Sequence, residues 1–370
     1  MVKILVADPI SESGLQVLQN NGHFSIETKL KLPPDDLKKA VQDVDAVMVR
    51  SETKITADVL AAGKKIKIVG RAGVGVDNID VAAASRQGVL VVNVPGGNTI
   101  SAAEHTMALM LALSRNVPQA SASVKSGEWK RSQFTGTELQ GKTLGLVGLG
   151  RIGREVAKRS QSFGVKVIGY DPYASEDYAK NFNITLVSLD EIYAQSDYIS
   201  VHVPLNDSTK HLFNAKTLAK LKPGVRLINC ARGGIFEEAA LAEALKSGHV
   251  KGAALDVFEA EPPAKDNPLF ALPNVIVTPH LGAATEEAQV KVAYELAETI
   301  RDYFLTGAVR NAVNLPSLDA EEYKELEPYI MLAEKLGKYA AQTAPGAVKE
   351  LKLTYAGDIS QKNTTPLTLA

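Results

Sequence analysis

Short apolar runs alternate with helical patterns along most of this chain. Each run has four to six residues and is dominated by Val, Ile and Leu, which is typical of strands buried on both faces of a parallel sheet. Helical patterns such as Arg151–Phe163 and Glu237–Ser247 would form the crossovers between them. The pattern predicts an α/β fold with two doubly wound, Rossmann-like domains and a cleft between them. The predicted strands are Lys3–Ala7, Ala46–Val49, Ile66–Val69, Val89–Asn93, Thr143–Val147, Lys166–Tyr170, Tyr198–Val203 and Arg226–Asn229.

Breaker residues and two long helical patterns divide the chain. Pro95-Gly96-Gly97 ends the first block of strands, and a long helix is expected over Thr99–Val124, capped by Ser101 or Thr99. A second long helix, Thr285–Leu305, lies too far from the last strand of the second block to be its usual crossover, so we expect it to return to the first block. This predicts a discontinuous domain over residues 1–96 and 284–316, and a second domain over residues 97–283.

The C-terminal part, residues 317–370, is expected to begin a further domain that is cut off. Glu321–Gln342 has a helical pattern, Leu351–Tyr355 alternates as a half-buried strand would, and Thr365-Pro366 is typical of a helix start. The alternative is a strand that joins the edge of an existing sheet.

Charge and cysteine content narrow the class of protein. The 41 basic and 42 acidic side chains give a net charge of −1, so nothing favours a nucleic acid or a membrane surface as a partner. The single cysteine, Cys230, excludes an intramolecular disulfide and a Cys₄ zinc site, and no metal site is expected. Met107–Leu113 is too short to span a bilayer, and a cytoplasmic protein is expected.

A glycine-rich turn predicts a dinucleotide site. Gly148-Leu149-Gly150-Arg151-Ile152-Gly153 follows an apolar strand and opens a helix, whose N-terminus attracts phosphates. The next strand ends in Asp171, 18 residues past Gly153. A carboxylate there can accept both ribose hydroxyls and would repel the 2′-phosphate of NADP, so the cofactor is expected to be NAD. The alternative is a structural turn followed by a surface aspartate.

Three later segments carry candidate catalytic residues. Arg232 lies among small residues in Asn229–Gly234, Glu261 precedes a proline turn, and His280 lies in Thr278–Gly282. Oxidation of a secondary alcohol needs a base, which histidine provides, and a cation for a substrate carboxylate, which arginine binds in a bidentate fork. A structural ion pair and a capping histidine are the alternatives. His105, on an apolar helix, is interpreted as a packing or interface residue.

These motifs, with the upstream segment Arg71–Asp80, resemble the D-2-hydroxyacid dehydrogenase family over about residues 1–315. The resemblance implies that Arg232 anchors the substrate carboxylate and carbonyl, that Glu261 partners the histidine, and that His280 is the acid/base. It implies a substrate domain formed by the first and last parts of the match, an NAD-binding middle, and a dimer interface at the helix near Ser101–Val124. The implied cofactor contacts are Gly148, Gly150, Arg151, Ile152, Gly153, Asp171, His202, Pro204, Cys230 and Asp256.

Two further arginines indicate a phosphorylated substrate. Arg50 and Arg71 each end an apolar strand, and two guanidiniums near one cleft suit a phosphate. The resemblance implies phosphate contacts from Arg50, Ser51 and Arg71, and Arg131 as a residue that reaches a neighbouring subunit's site. For the carboxylate end it implies Gly73, Val74, Gly75 and Asn98. The alternative is that Arg50 and Arg71 form surface ion pairs.

Within the family the chain most resembles the long-form members that oxidise 3-phosphoglycerate with NAD in the first step of serine biosynthesis. A homodimer or homotetramer is expected. Because the chain ends inside the first of the domains that such members append, no feedback by serine is expected through that route. Two alternatives stay open: a hydroxypyruvate or glyoxylate reductase, and an NAD-sensing protein that resembles a corepressor.

Overall fold

Two units make up the fold in the computed structural model, which describes residues 1–315, 320–343, 352–362, 364 and 367. The first unit comprises Met1–Gly97 and Glu286–Ala370, and the second comprises Asn98–Thr285. No helix among the described residues is long and apolar enough to cross a membrane.

The first unit is built on a five-stranded parallel sheet. Its elements up to residue 97 are β1 (Val2–Val6), α1 (Glu12–Gln19), β2 (Phe24–Thr28), α2 (Pro34–Ala40), β3 (Ala46–Val49), α3 (Ala57–Ala62), β4 (Ile68–Arg71), α4 (Val81–Arg86) and β5 (Leu90–Val92). The strand order is β2-β1-β3-β4-β5. Alternate residues of the strands enter two separate cores, Val47 and Val69 on one face and Met48 and Ile68 on the other. Burial of both faces explains why β3 and β5 are apolar at every position.

The helix that follows the second unit completes the core of the first. This helix is α12 (Glu286–Thr306), and its Val292, Leu296 and Ile300 are buried against one face of the sheet. A Cβ at Gly70 in β4 would lie 2.6 Å from Leu296 Cδ1, so the absence of a side chain there lets the helix approach the strand closely. A segment distant in sequence therefore supplies apolar surface that the first 97 residues lack.

The second unit contains a seven-stranded parallel sheet. Its elements are α5 (Thr99–Arg115), α6 (Val117–Lys125), β6 (Thr143–Val147), α7 (Arg151–Gln161), β7 (Lys166–Tyr170), α8 (Glu176–Lys180), β8 (Thr185–Leu186), α9 (Leu189–Gln195), β9 (Tyr198–Val201), α10 (Ala215–Leu218), β10 (Val225–Asn229), α11 (Glu238–Lys246), β11 (Val250–Leu255) and β12 (Val275–Val277). The order β12-β11-β10-β9-β6-β7-β8 reverses direction between β9 and β6. Ligands of such sheets bind outside the carboxyl ends of the strands at this point. The predicted α/β fold class is confirmed.

The predicted helix over Thr99–Val124 was wrong in one respect, because the structure divides it into α5 and α6 at Asn116. Asn116 has a left-handed backbone, with φ +54°. Pro118 has no N–H to donate to the Ser114 carbonyl, which accepts from the Thr137 amide instead (2.9 Å).

The predicted caps of this helix, Ser101 and Thr99, were also wrong, since Asn98 occupies the N-cap position. The Ser101 hydroxyl donates instead to the Gly282 carbonyl, at 2.8 Å.

The C-terminal part contains a helix, α13 (Ala320–Thr343), close to the predicted bounds Glu321–Gln342. The predicted strand Leu351–Tyr355 was wrong over the described residues 352–355, where no strand forms. Leu351, Thr365 and Pro366 lie outside the described residues.

Candidate active site

The glycine motif forms the turn between β6 and α7, at the point where the strand order reverses. Gly148 has φ +97°, and a Cβ there would lie 2.7 Å from the His202 carbonyl oxygen. A Cβ at Gly153 would lie 2.2 Å from the Gly148 carbonyl oxygen, so this glycine lets the helix pack on the turn. Apart from Gly150 itself and its two neighbours in the chain, no described residue comes within 4 Å of a Cβ built at Gly150. The turn therefore has open space at its middle glycine, where a pyrophosphate could approach the backbone.

Asp171 follows β7 and faces this turn. Its Oδ2 accepts a hydrogen bond from the Leu149 amide at 2.8 Å, and its Oδ1 accepts one from the Tyr173 amide at 2.9 Å. Each carboxylate oxygen can accept a second donor, as two ribose hydroxyls would require. Arg151 is exposed and Ile152 is half-buried, both in the first turn of α7. The residues present thus fit the adenosine and pyrophosphate portions of NAD.

The other predicted cofactor contacts lie in the loops that follow β9, β10 and β11, with Asp256 after β11. Burial lowers the pKa of His202 to about 4, so its ring is neutral at pH 7, and its Nε2 lies 3.0 Å from the Ser200 hydroxyl. Pro204 is exposed. Burial raises the pKa of the Cys230 thiol to about 12, against the smaller lowering effect of a bond with Thr106. Both side chains therefore present neutral groups.

His280 and Glu261 form a hydrogen-bonded pair. The distance from His280 Nδ1 to Glu261 Oε2 is 2.7 Å, and Glu261 Oε1 accepts from the Phe258 amide at 3.2 Å. Burial by itself would raise the pKa of Glu261. The hydrogen bond to His280, the charge of the His280 ring and the bond from the Phe258 amide outweigh burial and bring the pKa of Glu261 below its ordinary value. His280 has a left-handed backbone, with φ +55°, and its amide donates to the Asp256 carbonyl at 2.9 Å. Such strain persists only where surrounding contacts fix the chain.

The Asp256 carboxylate holds the turn that carries His280. It is fully buried, and it accepts from the Leu281 amide at 2.7 Å and from the Gly282 amide at 2.8 Å. Its Oδ1 also accepts from the Thr278 hydroxyl at 2.5 Å and lies 3.1 Å from His105 Nε2. The interpretation of His105 as a packing or interface residue was therefore incomplete, because its ring contacts this carboxylate. The sequence had no signal for the contact beyond a histidine on an apolar helix.

Arg232 lies in the loop after β10, which contacts the loop of Glu261. The Asn229 side chain accepts from the Ala231 amide at 2.9 Å and donates to the Arg232 carbonyl at 2.8 Å. Arg232 Nη1 donates to the Ala231 carbonyl at 2.7 Å. A Cβ at Gly233 would lie 1.7 Å from the Phe258 carbonyl oxygen, so only glycine allows the two loops to approach this closely. Sequence reasoning missed Asn229 as the residue that shapes this loop.

An apolar pocket of about 360 Å³ borders the histidine–glutamate pair. Phe258, Phe270 and Val277 are among the residues that line it, and the rings of Phe258 and Phe270 meet edge to face, with centroids 5.7 Å apart. A pocket with such walls offers little to an anionic group. Anionic ends of a substrate must therefore be bound by arginines and by backbone amides.

The predicted phosphate contacts lie at one edge of the sheet in the first unit. Arg71 is the last residue of β4 and pairs in register with Val49, after which Arg50 and the exposed Ser51 follow directly. Arg50 and Arg71 therefore leave neighbouring strands at the same carboxyl edge. A Cβ at Gly73 would lie 2.4 Å from Arg71 Nη1, so the guanidinium lies over this glycine.

The remaining predicted substrate contacts are divided between the units. The loop Gly73–Gly75 of the first unit is held by the Val94 amide, which donates to the Gly73 carbonyl at 2.9 Å, and by the Asn93 side chain, which donates to the Val74 carbonyl. In the second unit Asn98 begins α5, and its buried Oδ1 has no hydrogen-bond partner among the described residues. Arg131 is exposed in a 3₁₀ turn. The described residues contain no group of three His, Cys, Asp or Glu that could hold a metal ion.

Comparison with known proteins gave the following matches. Residues 107–282 match the model of the D-isomer specific 2-hydroxyacid dehydrogenase, NAD binding domain, and residues 325–370 match that of the D-3-phosphoglycerate dehydrogenase intervening domain. The chain is similar to D-3-phosphoglycerate dehydrogenases of Archaeoglobus fulgidus (48% identity) and Bacillus subtilis (47%), in each case over 100% of this chain and 70% of the relative.

Solved structures give the same likeness at lower identity. A glyoxylate reductase from Paecilomyes thermophila is 29% identical with a TM-score of 0.77, and the match covers 84% of this chain and 98% of that one. D-lactate dehydrogenase from Aquifex aeolicus, complexed with NAD and lactic acid, is 30% identical with a TM-score of 0.73, over 85% of this chain and 100% of that one.

Asp256→Asn is expected to destabilise the second unit in a pH-dependent way. Burial would raise the pKa of Asp256, but its bonds to His105, Thr278 and Leu281 bring it below the ordinary value of 3.8. Folding therefore favours the ionised form, whose contribution is present above about pH 4 and is lost as the pH falls through the lowered pKa. We expect a loss of about 2 to 4 kcal/mol at pH 7.

Urea unfolding of both proteins between pH 7 and pH 3 measures this difference. The difference in the free energy of unfolding between wild type and variant should become smaller below about pH 4. The exposed Asp207, changed to Asn, is the control and should leave the unfolding midpoint unchanged. A gap that stays constant down to pH 3 would contradict the role of the ionised carboxylate.

Proposed function

The chain belongs to the D-isomer specific 2-hydroxyacid dehydrogenase family, and from this premise we propose that it oxidises 3-phosphoglycerate to 3-phosphohydroxypyruvate with NAD, the first step of serine biosynthesis. The observation that carries this choice of substrate is the pair Arg50 and Arg71, which leave neighbouring strands at one sheet edge. Two guanidiniums there suit a phosphate, which lactate and glyoxylate lack.

The cofactor would be held by the turn Gly148–Gly153 and by Asp171, with further contacts from the loops after β9, β10 and β11. These loops carry His202, Pro204, Cys230 and Asp256. Bound NAD supplies the two-electron oxidant of the reaction. The open backbone at Gly150 and the second acceptor positions of Asp171 support this assignment.

The base in this proposal is His280, acting through Nε2. Its Nδ1 is bonded to Glu261, so Nδ1 carries the proton of the neutral ring and Nε2 has the free electron pair. Nε2 therefore takes the proton of the substrate's C2 hydroxyl, and the Glu261 carboxylate stabilises the positive charge that the ring gains. Arg232 binds the substrate carboxylate and polarises the forming carbonyl group.

The phosphate end of the substrate is assigned to Arg50, Ser51 and Arg71. Amides of the loop Gly73–Gly75 and the carboxamide of Asn98 are assigned to the carboxylate end. Arg131 would reach the site of a second copy, since we propose a homodimer or a homotetramer. A reducing compartment such as the cytoplasm suits the single, half-buried cysteine, which has no second cysteine to pair with.

In this proposal the domains keep the bounds inferred above. Residues 1–96 and 284–316 bind the substrate, residues 97–283 bind NAD, and residues 317–370 begin a C-terminal domain. The match of residues 325–370 to the intervening-domain model supports the last of these assignments.

The proposed activity is tested by NADH absorbance with 3-phosphoglycerate, D-glycerate and D-lactate, using hydrazine to trap the keto product. We expect turnover with 3-phosphoglycerate and little with the other two. Turnover with the unphosphorylated acids alone would contradict the phosphate site and favour a glyoxylate-type reductase. NADH binding without any turnover would favour a cofactor-sensing protein.

Arg50→Ala is expected to raise the KM for 3-phosphoglycerate. Loss of a charged hydrogen-bond donor costs about 2 kcal/mol of binding, which corresponds to a roughly thirtyfold increase. Residual turnover of D-glycerate should be nearly unchanged. The control is Arg86→Ala, an exposed arginine at the end of α4 in the same unit. Equal losses with both substrates would argue against a phosphate contact.

Asp171→Ala is expected to weaken the preference for NAD over NADP. The variant loses the acceptor for the ribose hydroxyls and the charge that repels a 2′-phosphate, so the ratio of kcat/KM values should fall roughly tenfold. Asp177→Ala, an exposed aspartate in α8, is the control. An unchanged ratio would disprove the role of Asp171 in cofactor choice.

A further inference from the structure

One buried carboxylate fixes the start and the middle of the loop that carries Arg50 and Ser51. Asp8 follows β1 and is 1% exposed. Its Oδ2 accepts from the Arg50 amide at 2.6 Å, and its Oδ1 accepts from the Thr53 amide at 3.1 Å and from the Thr53 hydroxyl at 2.5 Å. The first half of the loop between β3 and α3, residues 50–53, is thus bonded at both of its ends to a residue that follows the neighbouring strand.

A carboxamide completes the same arrangement from the other side. Asn78 Nδ2 donates to the Arg50 carbonyl at 2.8 Å and to the Thr53 carbonyl at 2.7 Å. The backbone of Asn78 is itself held in place, because its main-chain carbonyl accepts a hydrogen bond from the Ile55 amide at 2.8 Å. The N–H and C=O groups of both Arg50 and Thr53 are therefore bonded to two side chains, Asp8 and Asn78. The backbone from which Arg50 and Ser51 project has little freedom to rotate.

The negative charge of Asp8 would by itself weaken anion binding, whereas its orientation of the Arg50 backbone would strengthen it. A carboxylate close to a phosphate site repels the phosphate, so its removal would lower the KM for a phosphorylated substrate. If Asp8 instead orients Arg50, its removal raises that KM, because binding must then order the loop. The sign of the change therefore distinguishes the two effects.

We propose that Asp8 and Asn78 are positioning residues of the phosphate site, which hold residues 50–53 in the conformation that binds the phosphate. The proposal rests on the proposed function. The guanidinium of Arg50 also donates to the Pro9 carbonyl, at 3.4 Å, so the segment around Asp8 supports both the backbone and the side chain of this arginine.

The experiment measures KM and kcat for 3-phosphoglycerate with three variants of the full chain. Asp8→Asn replaces one acceptor by a donor that faces the loop amides, and Asn78→Leu removes both donors at similar volume. Asp45→Asn is the matched control, because Asp45 accepts from the Lys3 amide at 2.9 Å between the same two strands, at their opposite end. We expect KM to rise about tenfold in the first two variants, kcat to stay within about twofold, and the control to match wild type.

A double variant separates positioning from general destabilisation. In an Arg50→Ala background only Ser51 of this loop is left to orient, so adding Asp8→Asn should change KM by less than about threefold. A merely structural defect would lower activity equally in both backgrounds. NADH affinity, which depends on the second unit, and the unfolding midpoint check that each variant is folded.

Three results would overturn the proposal: a KM that falls in Asp8→Asn, a KM that is unchanged in both single variants, or a full additional loss in the Arg50→Ala background. If the wild-type chain oxidises 3-phosphoglycerate and the variants have the same KM as wild type, this inference is overturned and the proposed function is not. A wild-type chain that neither oxidises nor binds 3-phosphoglycerate would overturn the proposed function together with it.

Discussion

A strand position buried inside a sheet cannot carry an unpaired charge, because a charge moved out of water costs several kcal/mol unless it is fully bonded. In a parallel sheet this leaves the carboxyl ends of the strands as the place for polar chemistry. Most of the candidate functional residues of each unit obey this constraint, because each ends a strand or follows one. In the first unit these residues are Asp8, Arg50 and Arg71, at β1, β3 and β4. In the second unit they are Gly148, Asp171, His202, Arg232, Asp256 and His280, at β6, β7, β9, β10, β11 and β12.

Three of these strand ends use the same device to shape the loops. A carboxylate at the end of one strand accepts amide hydrogens from the loop that follows the neighbouring strand. Asp8 after β1 does so for the loop after β3, Asp171 after β7 for the turn after β6, and Asp256 after β11 for the turn after β12. Each carboxylate satisfies amides that the end of a strand leaves unpaired, and these amides offset the cost of burying it. One kind of interaction thus shapes the loops that carry Arg50, Gly148 and His280.

Sequence reasoning could select only those candidate site residues whose signal is local. The glycine motif, Asp171 and the segment around His280 each lie in a short stretch with a distinctive composition, and the fold class follows from the apolar runs. Asp8, Asn78 and His105 carry no such signal, because their partners lie far away in the chain. Asp8 accepts a hydrogen bond from the amide of Arg50, 42 residues later in the chain. The His105 ring contacts the carboxylate of Asp256, which is also distant in sequence.

The errors in the predicted helices and strands come from weak propensity and from contacts between distant residues. The strand β11, Val250–Leu255, contains a glycine and two alanines, which have weak strand propensity, so the sequence pattern did not indicate it. The break between α5 and α6 depends on Pro118 and on the bond that Thr137 makes to the Ser114 carbonyl in its place, a contact that lies outside any helical period.

The near-zero net charge makes these local contacts decisive for an anionic substrate. With a net charge of −1 the protein has no overall field to attract a phosphate or a carboxylate, and the pocket beside His280 is walled by Phe258, Phe270 and Val277. Affinity must then come from a few guanidiniums and amides held in a fixed orientation. A guanidinium on a long side chain loses conformational freedom when it binds, unless its backbone is already fixed. A loop whose backbone is already bonded to side chains of neighbouring segments, as residues 50–53 are, therefore suits the proposed binding of an anion without the support of a general positive field.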